Sequence, residues 1–433
     1  MSSPAVEIST VAVSPSQRRA ILAGAIGNLM EWYDWGVYGF LAPIFAAQFF
    51  PSHVAFVSLL LTFSAFALGF FMRPIGGLFL GAYGDRYGRR NALILTIGLM
   101  ALGSLIIGIL PGYPIIGVAA PAILVLARLV QGFSAGGEFG GSSAFLVEYA
   151  PFMRRAFIGS WQQVSVGTGA ILASASATLL TGVMPHGALY SWGWRIPFLL
   201  GGLIGLYALY LRRSVKDTPA FERLEESEQV ARAPVLEAIT RYPLESLRVI
   251  GITLAGTLTY YMWLIYMPTY VHSTTGMPLS RALQINLISL IIFVILIPFM
   301  GILSDRVGRK PVLSTFALGF VILSYPLFTF VTNSVWHIFV VELVGIFFLS
   351  MFSGNIATVM AEQFPTRVRT SGIAFPYALA VALFGGTAPF ITTYLISIHN
   401  YLGVVGYVIV ASAISAVVYL TMPETRTKIL TQT

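Results

Sequence analysis

Residues 81–90, GAYGDRYGRR, return as residues 301–310, GILSDRVGRK, 220 positions later in the chain. A second motif repeats with them: EYAPFMRR at 148–155 is echoed by EQFPTRVR at 362–369, each with an Arg seven residues after its Glu. A repeat of this length has the size of a domain and not of a solenoid unit. The chain is therefore predicted to fold as two related halves.

The composition places the chain in a membrane. Hydrophobic residues make up 57% and charged residues 10%, and the mean hydropathy is +0.82, which lies outside the soluble globular class. The net charge of +8 could suggest that the protein binds nucleic acid. In a membrane protein, however, an excess of basic residues is the usual signal that sets the orientation of the helices in the membrane. With no cysteine, disulfides and thiolate metal sites are excluded, and no cofactor is expected.

A transmembrane helix needs about 20 apolar residues, and twelve stretches qualify. The predicted spans are 20–47, 54–80, 91–110, 119–146, 157–183, 196–211, 249–270, 281–303, 312–331, 335–360, 371–397 and 402–421. The first run is too long for the core of a signal peptide, so it is expected to remain as a helix. An even number of spans puts both termini on one side of the membrane.

The basic residues predict which side that is. Loops on the side of the termini hold 21 of the 25 Lys and Arg residues, whereas Arg195 and Arg281 lie at the other face and Arg73 and Arg128 inside the membrane. Both termini are therefore predicted to be cytoplasmic. The predicted division is a tail (1–18), a six-helix bundle (19–211), a linker (212–248), a second bundle (249–421) and a tail (422–433). The linker is expected to be a solvated helix that begins near Thr218, because its charges are mixed.

An enzyme embedded in the membrane is the rival class, and the sequence argues against it. It contains no GxxxxGK[ST], HExxH or GxSxG motif. All five histidines fall in the outer loops or at their edges, which argues against a histidine relay or a metal cluster.

Ionisable side chains inside a span are costly and normally face a cavity or a partner. Six are expected there: Glu31, Asp34, Arg73, Arg128, Glu138 and Glu342. Glu31 and Asp34 are three residues apart and are expected to share one face of the first helix. Two close carboxylates in a low dielectric cannot both ionise easily, so the pair could carry a proton. The alternative is that they are fixed ion-pair partners of Arg73 or Arg128.

Small and amide side chains mark two further helices. Gly132, Gly136 and Gly140 are spaced by four, which predicts close helix packing along the fourth span. Gln162 begins the fifth span and could either bind solute or satisfy a neighbouring helix.

The duplicated box resembles the loops between helices 2 and 3, and between 8 and 9, of the major facilitator superfamily. Four further motifs in order, GNLMEWYDWGVYG (27–39), FFMRPIGG (70–77), RLVQGFSAGGEFGG (128–141) and WGWRIPF (192–198), are similar to its metabolite:proton symporter branch. That branch carries citrate, 2-oxoglutarate, shikimate, proline and betaine. The PGYPIIGVAAP loop (111–121) looks most like the citrate and 2-oxoglutarate carriers. The resemblance covers nearly the whole chain.

The resemblance implies an all-α integral membrane protein with 12 transmembrane helices in two six-helix bundles related by pseudo-two-fold symmetry, in a bacterial inner membrane. It implies alternating access to a central cavity, and proton-coupled uptake of a small organic acid such as citrate or 2-oxoglutarate. A proline or betaine carrier is the alternative, and an uncoupled facilitator or exporter of the same fold is more distant. The expected partners are the solute, the proton and the lipid bilayer, without nucleic acid, and the carrier is expected to act as a monomer.

The same resemblance gives roles to particular residues. The gating set is Asp85, Arg89, Glu148, Arg155, Asp305, Arg309, Glu362 and Arg369, in which the Asp of the box caps a neighbouring helix and its Arg pairs with loop acids. The expected substrate-binding set is Arg128, Arg73, Gln162 and Tyr33, and the expected proton-coupling set is Asp34, Glu31, Glu138 and Glu342.

An offset of 214 residues aligns Arg128 with Glu342, which predicts that the two approach one cavity from opposite walls. The planar fork of Arg favours a carboxylate ligand on Arg128. Three roles stay open for Glu342: a second coupling site, a contact for the cationic end of a zwitterion, or a latch to Arg128 in the empty carrier.

Overall fold

A computed structural model describes residues 15–87, 89–136, 138–148, 150–213 and 234–427. Within these ranges the protein is helical and contains no strand. The first half has α1 Pro15–Phe49, α2 Ala55–Tyr87, α3 Arg89–Ile109, α4 Ala119–Glu148, α5 Arg155–Val183 and α6 Arg195–Arg213. The second half has α7 Pro243–Thr275, α8 Leu279–Val307, α9 Arg309–Thr329, α10 Val335–Ala361, α11 Arg369–Ser397 and α12 Tyr401–Thr421.

Most of these helices are long and apolar enough to cross a membrane. Nine of the described helices meet that test, and the bent pair His186–Gly193 and Arg195–Tyr210, at 41°, makes a tenth. The two others are α3, whose apolar part is Ile94–Ile109, and α1, whose side chains are described only from residue 28 onwards. The twelve predicted stretches therefore all correspond to helices. The face at which α1 begins and α12 ends is called the terminal face below.

The linker and the tails are only partly covered. Residues 1–14, 214–233 and 428–433 lie outside the described residues, so the helix start predicted near Thr218 is not described. The described part of the linker forms the short helix Pro234–Arg241, and α7 begins at Pro243, six residues before its predicted start. A proline in the first turn of a helix loses no intrahelical hydrogen bond, which makes this a natural starting point.

Four helices are irregular at mid-length. The first segment of α4 ends at Ser134 and that of α10 at Ser353, before each helix resumes. The middle turns of α7 (Tyr261–Tyr266) and α11 (Val381–Gly385) are π-helical, and each precedes a proline, Pro268 or Pro389. Proline cannot donate to the carbonyl four residues earlier, so a carbonyl is freed in each turn.

Glycine allows α2 and α4 to pack backbone against backbone. A Cβ on Gly132 would overlap the carbonyl oxygen of Gly69, and one on Gly136 would overlap that of Arg73. A Cβ on Gly140 would lie 2.7 Å from the carbonyl oxygen of Thr370 in α11. The packing predicted from the four-residue spacing is therefore confirmed, both within the first half and between the halves.

The halves meet along symmetry-related pairs of helices, α5 with α8 and α2 with α11, and α1 packs against α7. In α7 every residue from Gly251 to Val271 is buried. A helix buried all round forms part of the core, whereas the outer faces of other helices expose large apolar side chains, such as Phe79, Leu203 and Ile322, towards lipid. The centre of the molecule is therefore the contact of α1, α2, α5, α7, α8 and α11.

Candidate functional site

A cavity lies between the halves, near the ends of α4 and α11 that are closer to the terminal face. Its polar and aromatic lining consists of Asn28, Glu31, Trp32, Arg73, Phe139, Gln162 and Tyr377. The ring of Phe139 stacks on that of Tyr377 at 3.7 Å and 11°, which joins α4 to α11 on the terminal side. In this conformation the space is narrow, with room for about one water molecule.

An ion pair forms the charged wall of this cavity. Arg73 Nη2 lies 2.9 Å from Glu31 Oε1, and both side chains are buried. The guanidinium carbon also lies 4.4 Å from the centre of the Phe70 ring and 5.6 Å from that of Trp32. The cation is therefore balanced by one carboxylate and by ring faces, as a buried charge requires.

Aromatic rings fill the space on the side of the cavity away from the terminal face. Trp32 and Phe70 of the first half contact Tyr261 of α7, with ring centres 6.5 and 5.2 Å apart. Further out, Phe63 contacts Tyr266 edge to face at 5.2 Å. These contacts join the halves on that side, so the halves touch on both sides of the cavity.

Arg128 is enclosed within the first half. Its guanidinium carbon lies 3.9 Å from the centre of the Tyr38 ring, 5.5 Å from Trp35 and 5.8 Å from Phe198, and the side chain is fully buried. None of its three nitrogens has a hydrogen-bond partner among the described residues. A buried guanidinium with unused donors is costly, which makes Arg128 the most unusual polar group of the site.

Asp34 lies deep in the same half and has one described donor. Ser104 of α3 donates a hydrogen bond to Asp34 Oδ2, and Gln131 of α4 donates to Ser104 Oγ at 2.8 Å. Asp34 Oδ1 has no hydrogen-bond partner within the part of the chain that the structure describes. Asp34 therefore lies at the end of a short polar chain that joins α1, α3 and α4.

Glu31 and Asp34 have different direct partners. Glu31 faces Arg73 and the cavity, whereas Asp34 faces Ser104, and a Cβ on Gly201 of α6 would lie 2.5 Å from its Oδ1. A step of three residues turns a helix by about 60° from a full turn, which here separates the two side chains. The ion pair required by the alternative interpretation is therefore present for Glu31, and a proton-carrying role for the two carboxylates stays a prediction.

Glu342 is buried in the second half. Neither of its carboxylate oxygens has a geometrically sound hydrogen bond to a described residue, although Ser289 and Asn286 of α8 are its polar neighbours. Asn286 also donates to the carbonyl of Leu264 at 3.3 Å, which is the carbonyl freed by Pro268. The Oδ1 atom of Asn286 accepts a hydrogen bond from Ser174 of the first half at 3.4 Å.

Neither Arg128 nor Glu342 lines the cavity between the halves. The expectation that they face each other across it is wrong for this conformation, and no ion pair joins them among the described residues. The reason is local: the rings of Trp35 and Tyr38 cover Arg128, and α8 covers Glu342.

The second copy of the box lies where the resemblance implies. Asp305 accepts hydrogen bonds from the backbone N–H groups of Ala156 (3.0 Å) and Phe157 (2.9 Å), so it caps the start of α5 in the other half. Arg309 binds Asp305 at 2.9 Å and binds Glu362 through two nitrogens at 3.1 and 3.2 Å. This cluster closes the terminal face between α5 and α8.

The loop motifs form reciprocal contacts between the halves. Arg369 binds Glu148 at 2.5 Å, and Arg155 Nη1 lies 3.7 Å from Glu362. Thr358 of α10 also donates to the carbonyl of Arg155 at 2.9 Å. The side chains of Asp85, Arg89 and Glu138 lie outside the described residues, so the first box and the sixth intramembrane charge are not described.

Comparison with known proteins decides the family. The family model of the Major Facilitator Superfamily matches residues 24–375 of the sequence and, in a second match, residues 283–433. The chain belongs to the major facilitator superfamily. It is 37% identical over 411 residues to the alpha-ketoglutarate permease of Escherichia coli (strain K12), a match that covers 94% of each chain.

Other relatives of this facilitator are named for different solutes. It is 37% identical over 399 residues to the citrate-proton symporter of Salmonella typhi, covering 89% of this chain and 90% of that one. It is 34% identical over 419 residues to the proline/betaine transporter of Escherichia coli (strain K12), covering 94% and 84%. These are transporters, so the facilitator is a transporter of the bacterial inner membrane and not an enzyme.

Solved structures confirm the twelve-helix facilitator fold. The xylose transporter XylE from E. coli, in a partially occluded inward open conformation, matches with a TM-score of 0.73 at 19% identity. The match covers 96% of this chain and all of that one.

Two of the predicted substrate residues differ in placement. Gln162 of the facilitator lines the cavity, and its Oε1 accepts a hydrogen bond from Gln163 at 2.9 Å. Tyr33 does not line this cavity: its hydroxyl donates to the carbonyl of Pro197 at 3.1 Å within the first half. It follows Trp32 directly, and neighbouring helix positions point about 100° apart, so only Trp32 reaches the cavity.

Sequence reasoning missed two residues after the last span that contact Arg309 and Glu362. Glu424 accepts hydrogen bonds from the backbone N–H groups of Arg309 and Lys310, both at 3.0 Å, and Thr425 donates to Glu362 at 2.6 Å. Burial alone would raise the pKa of Glu424, but the backbone N–H donors outweigh it and lower that pKa. The only signal was the acidic PET sequence directly after α12.

Proposed function

We propose that the facilitator takes up a small organic acid together with a proton, and that the acid is a di- or tricarboxylate such as citrate or 2-oxoglutarate. The observation that carries the proposal is Arg128, a buried guanidinium with no described hydrogen-bond partner. Guanidinium groups grip carboxylates through two parallel hydrogen bonds, and Arg73 supplies a second one at the cavity wall. Two such groups suit a solute with two or more carboxylates.

The relatives favour the same solute class. The alpha-ketoglutarate permease and the citrate-proton symporter are each 37% identical to this chain across about nine-tenths of it. The citrate-proton symporter is, by its name, a carrier that moves a carboxylate together with a proton. Both features are carried over here as a proposal.

Asp34 is the proposed proton carrier. Its Oδ1 lacks a described donor, and a buried carboxylate without donors is much less costly when protonated. Arg128 is the nearest described cation that acts on it, so an anionic solute on Arg128 would compete with the Asp34 carboxylate for the same charge. Protonation of Asp34 would remove that competition, which ties proton binding to solute binding. Glu31 and Glu138 are secondary candidates for coupling.

Glu342 is proposed as a second coupling position in the other half. Its carboxyl group is buried beside Asn286, which links α7, α8 and α5. A change of charge there would be felt at a contact between the halves.

The terminal-face cluster is proposed to be the cytoplasmic gate. Asp305, Arg309 and Glu362 hold α5 against α8, and Arg369 holds Glu148. We assign this face to the cytoplasm because basic residues concentrate in its loops. Opening the gate requires these charged contacts to break, while the aromatic contacts on the opposite side, which already join the halves, keep the other mouth closed.

A zwitterionic osmolyte is the second candidate, favoured by one observation. The cavity wall presents a cation and an anion side by side, Arg73 and Glu31, next to the ring of Trp32. Aromatic faces bind quaternary ammonium groups, and Arg73 could bind the carboxylate of the same solute. The proline/betaine transporter is a relative that fits this interpretation.

Uptake into proteoliposomes distinguishes the two. Labelled citrate, 2-oxoglutarate, proline and betaine are supplied with and without an imposed proton gradient, inside alkaline. The proposal predicts gradient-dependent accumulation of at least one carboxylate and none of betaine. Accumulation of betaine or proline alone would show that the facilitator is an osmolyte carrier and would refute the carboxylate proposal. Uptake at the same rate with and without the gradient would refute proton coupling.

A further inference from the structure

The indole of Trp35 lies beside both buried guanidinium groups of the first half. Its ring centre lies 4.9 Å from the guanidinium carbon of Arg73 and 5.5 Å from that of Arg128. Arg73 lines the cavity and Arg128 does not. The indole therefore contacts both the cation at the cavity wall and the enclosed cation.

Unused hydrogen-bond donors converge around this indole. Trp35 Nε1 and all three nitrogens of Arg128 are buried and have no acceptor among the residues that the structure describes. Buried donors are nearly always satisfied in folded proteins, because an unsatisfied one costs the whole desolvation penalty. An indole and a guanidinium 5.5 Å apart that together hold four unsatisfied nitrogens indicate that an acceptor belongs there in another state of the transport cycle.

The chemistry of these donors specifies that acceptor. A guanidinium presents a planar fork that matches the two oxygens of a carboxylate, and an indole N–H adds one further donor. We propose that Arg128 and Trp35 form a second carboxylate subsite, which opens when the indole turns aside, so that one carboxylate of the solute binds Arg73 and another binds Arg128. This inference rests on the proposed function and adds the solute's second binding point.

No hydrogen bond to a described residue holds the indole in place. Trp35 contacts the rings of Phe66 and Phe70 at 5.2 and 4.1 Å, and none of the described residues accepts a hydrogen bond from it. It lies against Gly69, where an added Cβ would be 2.8 Å from the indole carbon Cη2. Packing against these rings and against the backbone of Gly69 therefore holds the indole, and turning it aside breaks no hydrogen bond to a described residue.

Trp194 provides a matched comparison within the same half. Its Nε1 is also buried without a described acceptor, and a guanidinium, that of Arg195, lies 4.3 Å from its ring. Arg195, however, donates to the carbonyls of Ser191 and Leu110 at 2.7 and 3.1 Å. An indole beside a satisfied guanidinium is not expected to be a subsite, so Trp194→Phe is the control for Trp35→Phe.

The test measures how strongly the carrier prefers a dicarboxylate. Purified full-length protein in nanodiscs binds labelled 2-oxoglutarate, which is displaced by 2-oxoglutarate or by its 5-monoamide, and the preference is the ratio of the two Kd values. Trp35→Phe removes one hydrogen bond to a charged group, so the preference should fall about tenfold. Arg128→Gln should abolish the preference, Trp35→His should restore part of it, and Trp194→Phe should leave it unchanged.

The outcomes separate this inference from the proposed function. If the parent protein binds no carboxylate, the proposed function is wrong. If the parent prefers the dicarboxylate and both Trp35→Phe and Arg128→Gln keep that preference, the subsite alone is refuted. Should Trp35→Phe not assemble, Arg128→Lys decides the matter, because it keeps the charge and loses the fork; an unchanged preference in that variant overturns the inference.

Discussion

Asp305 offers the sharpest test of the terminal-face gate. It joins the two halves through two backbone N–H groups at the start of α5, at 2.9 and 3.0 Å, and it also binds Arg309. Hydrogen bonds to a charged group contribute about 1.5–3 kcal/mol each. Asp305→Ala removes both contacts between the halves, so the closed state should lose about 3 kcal/mol or more relative to the open one. That change corresponds to about a hundredfold shift in the population ratio.

The absence of cysteine from the sequence makes this shift measurable. Ala378 lines the cavity and is buried, so a single Ala378→Cys is shielded while the gate is closed. The rate at which a polar thiol reagent labels it should rise by up to about a hundredfold in the Asp305→Ala background, in proportion to the open population.

A half-buried carboxylate outside the cluster, paired with an exposed Arg, controls for the loss of charge. Glu237 pairs with Arg241 at 3.8 Å on the short helix before α7, and the Arg241 side chain is 68% exposed. Exposed pairs contribute little, so Glu237→Gln should leave the labelling rate unchanged. If Asp305→Ala labels as slowly as the parent while it still binds solute, the assignment of Asp305 as a gate residue is refuted.

Three further changes test other parts of the account. Asp34→Asn should abolish proton-driven accumulation while solute exchange between the two sides of the vesicle continues; accumulation that still follows the pH gradient would exclude Asp34 as the carrier. Gly132→Ala should lower the melting temperature by an amount equivalent to about 1–3 kcal/mol, because its Cβ would overlap the carbonyl oxygen of Gly69, and an unchanged melting temperature would contradict that packing. Glu424 has a lowered pKa, so its contribution to stability is present above the ordinary Glu pKa of about 4.3 and is lost as pH falls through its folded-state value. The difference in melting temperature between the parent and Glu424→Gln should therefore be present at pH 7 and shrink in acid, and a difference that grows in acid would contradict the assignment.

The fold could be predicted because its signals repeat or are long. The duplicated box predicts two halves, and apolar runs of about 20 residues predict helices whatever their partners are. The break in α4 after Ser134 and the π-helical turn at Tyr261–Tyr266 were not predicted. Pro268 was a local signal for the second of these, but its consequence depends on Asn286 of α8, which satisfies the freed carbonyl of Leu264.

The sequence predicted which charged residues are buried in the membrane better than it predicted which of them contact each other. The cost of burying charge identifies Glu31, Asp34, Arg73 and Arg128 from the sequence alone. Which acid meets which base depends on rotation about the helix axis and on neighbouring helices, and spacing along one helix does not determine these. That Arg73 pairs with Glu31 while Ser104 of α3 donates to Asp34 therefore became visible only in the fold.

The central claim is that one transport cycle moves an organic acid and a proton together. A pH electrode in the weakly buffered medium outside proteoliposomes measures this directly when citrate or 2-oxoglutarate is added without an imposed gradient. The account predicts that the medium becomes alkaline as labelled solute enters, and that Arg128→Lys strongly reduces both signals together. Uptake of the solute at parent rates with no change in external pH would contradict it.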